Sequence, residues 1–235
     1  IEVLDTKANK SLIEFFLQGN SSIPLVDCEH KLTCGKIQSF KNKDIEFSLP
    51  EEALYDDICF KSSIKPCQEI YSYIYQVHEA YVPLHSYFKL YLQPKLAIPN
   101  SLKDKIAVVR LPYGNETLKK GKAAQLEKGK VVTTVRDFGN YQIMIDQTPP
   151  DIKTTIKNDA QIGNLKKLVF TIKEETTSVE KCVAEVDGQW LRLVQKGNTY
   201  AYEIDEHFPA GKHQFTISAF DENKNKKTLT FALIK

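Results

Sequence analysis

Apolar and polar residues alternate with a period of two along almost the whole chain. A β-strand is the regular element whose side chains point to opposite faces at that period. The runs "DIEFSL", "YSYIYQVHE", "YFKLYLQ", "KIAVVRL", "KVVTTVRDF", "YQIMID", "KLVFTI", "VEKCVAEVDGQWLRLVQ", "TYAYEI" and "HQFTISAF" are short, rich in β-branched and aromatic residues, and separated by Gly, Asn, Asp or Pro. Helical periodicity never lasts beyond a turn or two, with "PEEALYDD" and "PNSLKDK" its best candidates. The pattern predicts an all-β chain of tandem β-sandwich domains, the last immunoglobulin-like.

Proline marks the main boundary. In Thr148-Pro149-Pro150-Asp151 two residues in succession lack a backbone donor, so one sheet ends there and a new unit begins. Residues 148–235 form the last domain, and from Ile152 to Lys235 there is room for seven short strands, the count of an immunoglobulin-like sandwich. Asp187-Gly188 between alternating runs marks its tightest hairpin, and Trp190, the single tryptophan, is expected to anchor its core. Residues 32–147 form a middle β-sandwich domain.

The first 31 residues read differently. "IEVLDTKANKSLIEFFL" matches "ISAFDENKNKKTLTFAL": Asp5 aligns with Asp221, Asn9 with Asn225, Phe15 with Phe231 and Leu17 with Leu233. The second copy closes a sandwich, so residues 1–31 are expected to be the closing hairpin and linker of a truncated upstream β domain. Val3, Leu4, Ile13, Phe15 and Leu17 would then need cover from that domain or from edge-strand pairing with a second chain.

Charge excludes one class of function. The net charge of +2 comes from 32 basic and 30 acidic residues with no basic stripe, so no nucleic acid is expected as a partner. The five cysteines include no CxxC pair and miss zinc spacing, which fits free thiols buried as small apolar groups. Only Cys28 and Cys34 lie near enough in sequence for a loop disulfide.

"FSLPEEALYDDICF", "VHEAYVPLHSYFKL", "FGNYQIMIDQTPPDI" and "VDGQWLRL…GKHQFTISAFDENKNKKTLTFAL" resemble, in that order, the region following the catalytic domain in lysostaphin-type (M23 family) zinc metalloendopeptidases of Gram-negative bacteria. The resemblance implies a periplasmic or cell-envelope setting, an upstream peptidase-like domain of the same protein as partner, and contact with peptidoglycan or another envelope protein. In that family the closing hairpin carries Asp-x-x-Gly-Asn; here Ala8 and Lys224 replace the glycine. The family's zinc ligands, His-x-x-x-Asp and His-x-His, have no counterpart among His30, His78, His85, His207 and His213. No catalytic residue, no metal and no cofactor is therefore expected in this chain.

Three constellations remain. His78 and His85 bracket "EAYVPL" without a third ligand, which favours hydrogen bonds that fix a loop. Asp221, Asn223 and Asn225 have the alternate spacing of a calcium loop but lack its glycine and terminal glutamate, so a self-capping hairpin tip is the expectation. Strand alternation puts Tyr71, Tyr73 and Tyr75 on one face. If exposed, they would form a sugar-stacking platform, and these three with His78 and His85 are the candidate ligand site. The expected function is that of a non-catalytic accessory region of a cell-envelope peptidase or a degenerate relative. The alternative is an independent glycan-binding or adhesion module using the tyrosine strand.

Overall fold

The computed structural model describes residues 1–16, 28–117 and 120–235. The chain is all-β, with the single 3₁₀ turn Asn100–Lys105 as the one helical element among them. Two tandem β-sandwiches account for most of it, the second immunoglobulin-like.

In the first sandwich, one sheet runs Lys120–Ala123, Ile106–Arg110, Gly139–Ile145, Ile74–Val77, Ser62–Lys65. The other runs Gln125–Glu127, Lys130–Val135, Phe88–Leu92, Ile45–Leu49, Gln38–Lys41. All pairings are antiparallel, and the alternation becomes burial: Ile45, Phe47 and Leu49 face inward while Ser48 faces water. Stacked and edge-on rings of Phe40, Phe47, Phe60, Phe88 and Phe138 fill the space between the sheets. Strand Ile106–Arg110 departs from alternation because it is buried on both faces. Ile106 and Val108 enter the core, whereas Ala107 and Val109 face the other way and are equally buried.

The second sandwich pairs a four-stranded sheet with a five-stranded one. The first has the order Asp151–Lys153, Lys167–Lys173, Thr199–Glu203, Val194–Lys196. The second has the order Ala160–Gln161, Lys226–Ile234, Lys212–Asp221, Val179–Val186, Gln189–Leu191. Its core is separate and centres on Phe170 and Phe215, stacked at 5.6 Å. The strand count exceeds the expected seven partly because "QWLRLVQ" is not one strand. Gln189–Leu191 pairs in one sheet and Val194–Lys196 in the other. This crossing corrects the expectation for Trp190. Leu191 takes the inward position, so its neighbour points out, and Trp190 is 66% exposed. At the adjoining turn, Asp187 (φ 49°) and Gly188 (φ 81°) are both left-handed, as a two-residue hairpin of this hand requires.

The opening hairpin pairs Glu2–Leu4 with Lys10–Leu12 only, and every residue from Ile1 to Phe16 is exposed. It does not fold onto the first sandwich. Its second strand stops at Leu12, short of the apolar residues Ile13 and Phe15 that follow, and Leu17 lies outside the described residues. Its tip nevertheless repeats two side-chain bonds of the second hairpin. Asn9 N–H donates to Asp5 Oδ1 (2.9 Å) and Asn9 Nδ2 to Asp5 Oδ2 (2.7 Å), while Asn225 makes the same two bonds to Asp221 at 2.7 and 2.8 Å. Ala8 (φ 62°) and Lys224 (φ 60°) hold the left-handed position that glycine usually takes. The aspartate cap enforces that conformation despite the missing glycine.

The cysteine expectation is corrected. Cys28 is bonded to Cys59, 31 residues on, with Cα atoms 5.5 Å apart, and Cys34, Cys67 and Cys182 are free. The physical cause is strand pairing: Lys31 lies opposite Cys59, so the short ladder Lys31–Leu32 with Ile58–Cys59 carries Cys28 to its partner. Nearness in sequence favoured Cys34, whose thiol donates instead to Leu54 O.

Candidate functional site

A set of buried polar groups converges where the two sandwiches meet, and the tip of the second closing hairpin builds that seam. Asp221, Asn223 and Asn225 are buried although they belong to a polar turn. Asp221 spends its carboxylate on shaping the tip, which frees the asparagine amides to reach across. Asn223 Nδ2 donates to Ile106 O (2.9 Å) and Asp104 O (3.2 Å), and Asn225 Nδ2 also donates to Asp146 O (3.0 Å). Lys105 Nζ answers from the other side, donating to Asn225 Oδ1 (2.5 Å) and Asn223 O (3.0 Å). Glu222 accepts from Ala123 N–H at 2.9 Å. The alternate spacing of Asp221, Asn223 and Asn225 thus makes a self-capped tip that also plugs a neighbouring domain.

Backbone approach completes the seam. A Cβ on Gly121 would lie 1.7 Å from Thr176 O, so the edge strand Lys120–Ala123 can meet the 174–177 turn only because glycine stands there. That turn is held by Glu174, whose Oε1 accepts N–H bonds from Glu175, Thr176 and Thr177. The contact also covers the outward face of Val109, which explains a strand buried on both sides.

One carboxylate oxygen from each of Asp146, Glu174 and Asp221 comes within 4.8 Å of the others, the first from one sandwich and the other two from the next. Asp146 is only 3% exposed. Burial, with the charges of Glu174 and Asp221 adding to it, pushes its pKa up to about 6. Asp146 Oδ1 accepts from Thr148 N–H, while Oδ2 has no hydrogen-bond partner.

The residues singled out from sequence lie elsewhere. Tyr75 is fully buried and donates to Gln93 O; its burial pushes the phenol up to about 12. Tyr71 and Tyr73 are partly buried against the same core, and Tyr73 meets Tyr75 edge to face at 6.2 Å. Strand geometry begins only at Ile74, with Tyr71 in a turn, so the three rings do not share an exposed face. The sugar-stacking platform is not formed. His78 is buried, takes φ 57° and accepts from Lys61 N–H at Nδ1; burial lowers its pKa. His85 is exposed and bonded to Tyr55 OH at 3.1 Å. The two imidazoles fix loops and are not brought together with the tyrosines as one site. The seam residues Lys105, Gly121, Asp146, Glu174 and Glu222 were not identified from the sequence. The available signals were the acidic residue just before the Pro-Pro boundary and the unusual amide content of a repeated turn.

Against known proteins, residues 29–146 match the family model of the Zu5-like domain, which is half of the chain. No curated protein sequence matches the chain. Among solved structures, the fibronectin(III)-like modules of Clostridium thermocellum CbhA align at 12% identity and TM-score 0.32, covering 63% of this chain and 85% of theirs. A polysaccharide lyase aligns at 11% identity and TM-score 0.27, covering 85% of this chain and 35% of its own.

Proposed function

We propose, for a chain that belongs to the Zu5-like domain family, a non-catalytic role: two joined β-sandwiches that position a lysostaphin-type peptidase domain, or a degenerate relative of one, and contact its partners. The observation that carries this reading is the seam. Modules that merely share a chain are expected to move relative to one another unless their interface restrains them. Here buried amides from one module donate to backbone carbonyls of the other, and an ammonium group bonds back. Such an arrangement suits a spacer of set orientation. The Cys28–Cys59 bond supports a periplasmic or envelope setting, since disulfides persist in oxidising compartments. The glycan-binding alternative loses its support with the burial of Tyr75.

The test has two arms. Small-angle scattering of the purified chain is expected to fit one arrangement of the two sandwiches, and peptidoglycan incubated with the chain and zinc is expected to remain uncut. Scattering that requires a broad ensemble of inter-domain angles would overturn the spacer role. Turnover abolished by His78→Ala would overturn the non-catalytic one.

A further inference from the structure

We infer that Asp146, Glu174 and Asp221 form a site for a divalent cation of calcium's size at the seam, which ties the two sandwiches together when it binds. The inference stands on the carboxylates alone and does not depend on any peptidase connection.

Two independent observations carry it. The first is the convergence: three carboxylates supplied by two domains place oxygens within 4.8 Å of one another. Two oxygens bound at 2.3–2.6 Å on opposite sides of one calcium ion are about 5 Å apart, so a single ion spans the set. The second is the state of Asp146. Its Oδ2 is shut off from solvent without a hydrogen-bond partner, in a residue 97% removed from water. A buried carboxylate oxygen with no donor is costly, and two further carboxylates beside it increase the cost. No ion pair to Asp146 forms among the described residues; the charge of Lys105 partly offsets that of Asp146, but its ammonium is directed at Asn225 and Asn223. Oxygen donors with net negative charge and no nitrogen or sulfur ligand suit a hard cation. Asp221 keeps its two bonds from Asn225, which leaves a lone pair on each oxygen for a metal. A second unpartnered oxygen, Asn223 Oδ1, belongs to the same inserted tip and is of the neutral amide kind that calcium also takes. The exposed trio Asp205, Glu206 and His207 offers no comparable orphaned atom.

The experiment uses the full chain stripped with chelator and titrated with calcium chloride. Calorimetry is expected to show one site per chain, and millimolar calcium to raise the melting temperature by at least about 3 °C. Glu174→Gln, which keeps an oxygen to cap the 175–177 amides, is expected to weaken binding at least tenfold. Asp146→Asn is expected to abolish binding while the metal-free protein melts no lower than the parent, because an unpaired buried charge has gone. If Asp146→Asn does not fold, Glu174→Gln alone decides. Absence of any calcium response overturns the proposal. So does a response retained in Glu174→Gln, or one that magnesium reproduces at equal concentration.

Discussion

Replacing Gly121 by alanine inserts one carbon where the structure has no room for it. The new Cβ would lie 1.7 Å from Thr176 O, and real Cβ contacts essentially never fall below 3.0 Å, so the obstacle, a backbone carbonyl, must retreat by more than an ångström. Two bonds across the seam span the same gap at 2.9 Å, Ala123 N–H to Glu222 and Asn223 Nδ2 to Ile106 O. A displacement of that size breaks both. Each buried partner left unsatisfied costs about 1–3 kcal/mol, so Gly121→Ala is expected to destabilise the chain by about 2–6 kcal/mol. In a chain of this length that corresponds to a fall in melting temperature of about 4–24 °C. The assay is calorimetry combined with small-angle scattering, which should show domain separation and splitting of cooperative unfolding into two transitions. The control is Gly163→Ala, whose Cβ would meet its nearest atom, Lys235 C, at 3.9 Å and should change stability by less than about 0.5 kcal/mol. A Gly121→Ala protein with unchanged melting and unchanged scattering would refute the argument that the seam is a tight backbone contact.

Three further outcomes are expected. Removing the disulfide with Cys28→Ser and Cys59→Ser together should lower the stability of the first sandwich by about 3.5–4 kcal/mol, as closing a loop of this size implies, measured by denaturant titration with and without reductant. Trp190→Ala should change stability by less than about 0.5 kcal/mol because the ring is exposed, whereas Phe215→Ala should cost about 3–5 kcal/mol, and equal losses would contradict the sheet crossing at Arg192 and Leu193. His213 has an acceptor at each ring nitrogen, Ala210 O at Nε2 and Asp187 Oδ2 at Nδ1, an arrangement that favours imidazolium and raises its pKa. Asp187 is lowered by Gln214 N–H and by His213. A raised histidine contributes below its unfolded pKa and loses that contribution as pH rises through the folded one; a lowered aspartate contributes above its unfolded pKa and loses it as pH falls. The hairpin is thus best supported between about pH 4 and 6.5, and melting temperature should fall from pH 6 to pH 8 more in the parent than in His213→Ala.

Much of this architecture was legible in the residues, because a period of two needs only neighbouring positions to be read. Phe47 and Leu49, or Phe215 and Ile217, declare their faces locally, and Pro149-Pro150 removes two backbone donors wherever it stands. The hairpin repeat was readable for the same reason: Asp5 with Asn9, and Asp221 with Asn225, close their bonds within five residues. Tertiary structure decided what alternation cannot carry. Trp190 and Leu191 are adjacent apolar residues, and only the crossing between sheets selects which one enters the core. Tyr71 and Tyr75 have strand spacing, yet the strand starts between them. Cys28 finds Cys59 through a ladder formed by other residues. The seam is the extreme case. Asp146, Glu174 and Asp221 are far apart in sequence, and each alone is an ordinary acidic residue. Their chemistry arises from the removal of water and the placing of like charges side by side, quantities that exist only once the two sandwiches have met.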